Sequence, residues 1–182
     1  MVSNLSKTYN YALCALFTAF IAICSQIAIH IGDIPISLSM LAIYITGMVL
    51  GAKYGVISVI VYILLGAVGI PVFAGGKGGA AVILGPTGGF IIGYIFCVMI
   101  VGWFNGKKEK NKIYSVISMI LGLISCYVLG MGWYSIISEV PIKLALKYCV
   151  IPFIPGDIIK IIIAVIVYDI IHKRVLGRFI NH

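Results

Sequence analysis

Long apolar runs alternate along this chain with short breaks of Gly, Pro or charge. The pattern predicts six helices, at about Tyr11–Ile29, Ile36–Leu50, Val56–Gly69, Gly88–Phe104, Ile113–Ile137 and Pro155–Ile171. Only Lys53, in "GAKYG", separates the second run from the third. Were "VLGAKYGVIS" one continuous helix, the count would fall to five.

Composition places these helices in a bilayer. Hydrophobic residues make up 62% of the chain and charged residues 10%, against about 45–50% apolar in an ordinary soluble domain. At about 20 residues per crossing plus short connections, 182 residues hold five to seven spans and no second domain. The expectation is one all-α integral membrane domain over residues 1–182. The run that begins near Tyr11 has neither a basic n-region nor an A-x-A-like cleavage site, so it reads as a retained span.

The balance of 13 basic to 5 acidic residues, net charge +8, does not indicate nucleic acid, which needs a basic face with exposed stacking aromatics. Here the positive charges sit between apolar runs. With six spans, one side collects Lys7, Lys53, Lys107, Lys108, Lys110, Lys112, Lys173, Arg174 and Arg178, and the other only Lys77, Lys143, Lys147 and Lys160. The positive-inside rule makes the first side cytoplasmic, with both termini there. A five-span count would split the basic clusters, so the charge pattern itself favours six. "NGKKEKNK" (Asn105–Lys112) then reads as a cytoplasmic topology anchor.

Three outer segments remain: "HIGDIP" (His30–Pro35), the Gly-rich Ile70–Gly89, and Ser138–Asp157. They are long for connections between packed helices, which usually take about 2–8 residues. This face therefore has a job beyond turning the chain.

The last of these segments ends in "IPFIPGDIIKIIIA", which sets Asp157 and Lys160 at the mouth of an apolar helix. Positions i and i+3 share a helix face, so both side chains point one way, just inside the outer leaflet. Structurally, the Asp suits the helix N-terminus and the Lys pairs with it or reaches the interface. Functionally, the two form a binding pair: Asp accepts from ureido or amide N–H groups and Lys donates to carbonyl or carboxylate oxygens. The cost of ionisable groups inside a span favours the second reading.

"AGGKGGAAVILGPTGG" is not a P-loop, because Gly follows Lys77 where Ser or Thr is required, and Pro71 occupies the position of the first Gly. Gly75, Gly76, Gly78 and Gly79 can take positive φ and bring backbone close to a ligand. A lid over a small polar molecule and a simple turn between spans both fit that composition. The pairs Ala15/Ala19, Gly47/Gly51 and Gly89/Gly93 are small-xxx-small spacings that let helices approach, within the bundle or against another membrane protein. Cys14, Cys24, Cys97, Cys126 and Cys149 form no CxxC or Cys/His cluster, so neither a metal site nor a disulfide framework is expected. His30, Gln26, Tyr127 and Trp133 read as packed or interfacial residues. No HExxH, GxSxG or Ser/His/Asp arrangement indicates an enzyme.

Two stretches, "GIPVFAGGKGGAAVILGPTGGFIIGY" (Gly69–Tyr94) and "PFIPGDIIKIIIA" (Pro152–Ala164), resemble the signature regions of the BioY family, the biotin-binding S components of energy-coupling-factor (ECF) vitamin transporters. "IPISLSMLAIYITGMVLGAKYG" and "CYVLGMGWYSIIS" extend the resemblance over nearly the whole chain. It implies six membrane helices with cytoplasmic termini in a prokaryotic plasma membrane, and biotin as transported ligand rather than cofactor. The pocket it implies lies near the outer face under Pro71–Gly88, with Asp157 and Lys160 among the contacts. The implied partners are an integral T component and two cytoplasmic ATPases, with Ala15 and Ala19 matching the motif that packs on the T component. Two departures stand out: "PITLQ" of the family is here Pro35-Ile36-Ser37-Leu38-Ser39, and the Tyr often found after "GPTGG" is Phe90. An S component for lipoate or dethiobiotin is thus the rival within the class. A self-sufficient secondary carrier is the rival outside it, although the inverted repeats such carriers often show are not evident.

Overall fold

A computed structural model of the chain describes residues 7–31, 34–105 and 112–171. Its elements are α1 (Lys7–Gln26), β1 (Ala28–Ile31), β2 (Ile34–Ser37), α2 (Ser39–Ala67), α3 (Ala80–Leu84), α4 (Gly88–Asn105), α5 (Lys112–Ile137), α6 (Ile142–Cys149) and α7 (Ile154–Ile171). By length and composition four helices, α1, α2, α4 and α5, can cross a membrane. A fifth crossing results if α6 and α7, which meet at a 51° bend, count as one.

Helix α2 covers both the second and the third predicted runs, but it is not straight. Gly51 has φ 73°, a left-handed conformation that side chains rarely tolerate, and there the chain reverses. A Cβ built on Gly55 would lie 3.7 Å from the Cα of Gly47, whereas eight residues of straight helix rise about 12 Å. Residues 39–50 and 52–67 are therefore two arms of a helical hairpin. The break falls at Gly51, two residues before the charged Lys53 that marked it in the sequence.

Three segments depart from the sequence expectation. The helix expected from Ile36 begins only at Ser39, and Ile34–Ser37 pairs antiparallel with Ala28–Ile31 in a short hairpin, so the fold is helical but not purely α. Pro35, which lacks an N–H, is tolerated in this two-stranded edge but would interrupt a helix interior. The long segments after α2 and α5 also hold helices of their own, α3 and α6. The basic residues Lys107, Lys108, Lys110, Lys173, Arg174 and Arg178 of the topology argument lie outside the described residues.

Small residues set the packing. A Cβ on Gly93 would lie 2.9 Å from Cys126 Sγ and one on Gly122 would lie 2.8 Å from Cys97 Sγ, so α4 and α5 touch backbone to side chain. Gly47 abuts Val98 and Val101, and Gly102 abuts Ala52, drawing α4 against both arms of α2. Helix α1 is fixed to α2 by Thr18, whose hydroxyl donates to the Ser58 carbonyl at 2.9 Å. Of the small-residue pairs, Gly89 and Gly93 serve the α4–α5 contact, Gly47 serves α2–α4, and Gly51 serves as the elbow. Ala15 and Ala19 are exposed on α1.

Candidate functional site

The first two turns of α7 carry Asp157 and Lys160 into the bundle. Their exposures are 3% and 6%, and Lys160 Nζ donates to Asp157 Oδ1 at 2.8 Å. Isolated charges would be prohibitive at such a depth, and three features offset the burial. The ions pair with each other, the carboxylate lies at a helix N-terminus, and Tyr127 on α5 donates its hydroxyl to Asp157 Oδ2. The sequence placed the Asp–Lys pair on one face but left Tyr127 as a packing residue; its partner lies 30 positions away.

The trio opens on a cleft of ≈ 400 Å³ whose wall includes Pro35, Ser37, Phe90, Tyr94 and Phe153. A second cleft of ≈ 460 Å³ shares Ile34, Pro35, Ser37, Phe90 and Tyr94 with the first. It runs on beneath the loop after α2, where Phe73, Ala74 and Lys77 form its roof. Both volumes include space open to solvent, and each cleft is mainly apolar with a few convergent polar groups.

Serines line the far side. Ser25 Oγ lies 2.8 Å from Ser39 Oγ and 2.9 Å from the Tyr62 hydroxyl, and Ser37 Oγ lies 2.8 Å from Ser39 Oγ. This chain of hydroxyls ties α1, β2 and both arms of α2 together beside the cleft. Tyr62 lies 23 positions beyond Ser39, about 35 Å of straight helix, and only the hairpin at Gly51 lets both reach Ser25.

The Gly-rich loop does not behave as a simple turn. Gly75, Gly76 and Gly79 have φ of 72°, 73° and 97°, and a Cβ on Gly78 would lie 2.5 Å from the Ile70 carbonyl oxygen. None of the four is among the residues lining the clefts; they shape the loop that presents Phe73, Ala74 and Lys77. Trp133 pins the following segment, its indole N–H donating to the Gly85 carbonyl at 2.9 Å. Among the described residues no group of three or more His, Cys, Asp or Glu is placed to hold a metal.

Comparison with known proteins places this site in context. A family model described as the BioY family matches residues 1–177. A probable biotin transporter BioY of Pyrococcus horikoshii is 39% identical over 163 residues, covering 90% of this chain and 96% of its own. The biotin transporter BioY of Thermotoga maritima is 38% identical over 152 residues, 84% of this chain and 89% of its own. A crystal structure of the S-component for biotin from an ECF-type ABC transporter superposes with TM-score 0.86 at 36% identity, over 94% of each chain.

Proposed function

The chain belongs to the BioY family, and on that premise we propose that it is the membrane subunit that captures biotin for an ECF-type uptake transporter. The observation that carries this reading is the buried Asp157–Lys160–Tyr127 trio opening on a cleft. A carboxylate has about four acceptor positions and an ammonium three donors, so the trio has capacity left after its internal bonds are made. A ureido group offers two N–H donors and one carbonyl, a match for Asp157 as acceptor and for Lys160 as donor, with Tyr127 holding the Asp157 carboxylate in place. The apolar wall suits the ring system and aliphatic chain. In this reading Gly75, Gly76, Gly78 and Gly79 contribute the shape of the roof, and Phe73 and Lys77 its contact surface.

The two arms of α2, counted separately, give six crossings with α1, α4, α5 and α7, leaving α6 at the outer boundary. The positive-inside distribution then sets both termini in the cytoplasm of a prokaryotic cell membrane. In this reading the subunit binds its ligand and leaves it chemically unchanged. Energy for uptake is assigned to two cytoplasmic ATPases joined through an integral T component, and the exposed Ala15 and Ala19 on α1 supply a surface for that contact.

The deciding experiment is calorimetric titration of biotin into the detergent-purified chain, stripped of carried-over vitamin. Saturable binding at one site per chain supports capture without an energy source. Absence of heat with biotin, together with binding of lipoate or dethiobiotin, would reassign the ligand within the same class.

A further inference from the structure

The cleft's roof is fastened at two points, and one of them is on another helix. Phe73 is 2% exposed and stands edge-on to Tyr62 with ring centroids 5.5 Å apart. It occupies the space that a side chain at position 66 would fill, since a Cβ on Gly66 would lie 2.0 Å from Phe73 Cζ. The backbone of the same loop is held by Gln26, the last residue of α1. The two N–H donors of its side-chain amide are shared among the Pro71 carbonyl at 3.1 Å, the Phe73 carbonyl at 3.4 Å and the Ala22 carbonyl of its own helix at 3.3 Å. Gly69 and Gly79 bracket the loop at φ 103° and 97°, and a Cβ on either would meet nothing within 4 Å. Such positions can absorb a backbone rotation without collision.

We propose that Gln26 is the latch of a lid formed by residues 70–79, a positioning residue that sets how fast ligand leaves the cleft without touching the ligand itself. Phe73 is both the part of the lid seated in the bundle and part of the roof of the second cleft, so lifting the lid there means that Phe73 leaves the Gly66 slot. That movement breaks the Gln26 hydrogen bonds to Pro71 and Phe73 and leaves the one to Ala22. Because Gln26 is exposed, substituting it leaves the packing of the core untouched. The identity of the ligand rests on the function proposed above; the latch itself does not.

Release is measured on the full chain by loading labelled biotin and chasing with unlabelled biotin. Gln26→Glu keeps the size but removes the amide donors and faces two carbonyls with negative charge, whereas Gln26→Lys restores donors at similar reach. Release about tenfold faster in Gln26→Glu, the scale of one or two net hydrogen bonds, is expected, with Gln26→Lys near wild type and all three melting together. Equal release in Gln26→Glu and wild type, or equal acceleration by both substitutions, overturns the latch. Trypsin cleavage after Lys77 in the ligand-free chain gives a reading that needs no ligand. Faster cleavage in Gln26→Glu supports the latch, and an unchanged rate counts against it. If wild type binds no biotin, the proposed ligand fails and the trypsin result alone decides the latch.

Discussion

Lys160 Nζ meets Asp157 Oδ1 at 2.8 Å within one turn of α7, and both side chains are almost wholly withdrawn from solvent. A buried pair of this kind is not a general stabiliser, because desolvation offsets most of the attraction. In the function proposed above, a ligand in the adjoining cleft uses the pair.

Removing one partner strands the other. Asp157→Asn and Lys160→Met should each destabilise the chain by about 3 kcal/mol, the scale for an uncompensated buried charge. The double variant Asp157→Leu/Lys160→Met should be less destabilised than either single one, and all three should lose ligand binding. Tyr127→Phe, which removes only a donor to Asp157, should leave the fold intact and weaken binding about tenfold. Thermal unfolding and titration on the same samples check both parts; single variants that melt with wild type would contradict the buried pair.

The hairpin in α2 makes a contrast between two glycines. Gly51→Ala meets no neighbouring atom and bears only backbone strain from its positive φ, about 1–2 kcal/mol. Gly102→Ala drives a Cβ to 2.3 Å from the Ala52 backbone nitrogen and should be the more damaging of the two. Melting temperatures in the reverse order would speak against the doubled-back α2.

Orientation is open to chemical labelling. In whole cells, a cysteine replacing Lys77 should react with an impermeant maleimide from outside, whereas one replacing Lys107 should react only after permeabilisation. The five native cysteines are buried and should contribute little background. Labelling of both sites from outside would overturn the six-span arrangement.

The exposed α1 strip separates capture from transport. Ala15→Leu/Ala19→Leu adds bulk at two exposed positions, so biotin binding by the isolated subunit should be unchanged. Cellular uptake that depends on the ATPases should fall at least about tenfold if helices can no longer approach closely there. Unimpaired uptake would move the partner surface away from α1.

Much of this molecule could be read from local pattern. Apolar runs and their Gly, Pro and charge boundaries give the helices to within a few residues, because hydrogen bonding within a helix and burial in lipid depend on neighbouring residues alone. The placement of Asp157 and Lys160 on one face follows from helix geometry in the same way. Less legible was the break in α2. Lys53 is the conspicuous interruption of the run, but the chain turns at Gly51, where φ 73° is tolerated and the Gly102 backbone lies close.

What the sequence determined by itself is a helical membrane protein with an acid and a base on one face at the mouth of an apolar run, together with a family resemblance that the comparisons bear out. Tertiary structure alone decided which distant residues complete the site. Tyr127 reaches Asp157 from α5, Phe73 finds the empty side-chain space at Gly66, and Gln26 clasps a loop 45 residues further along. None of these leaves a periodic trace, because each depends on where separate helices meet, and that is set by the packing of small residues between them.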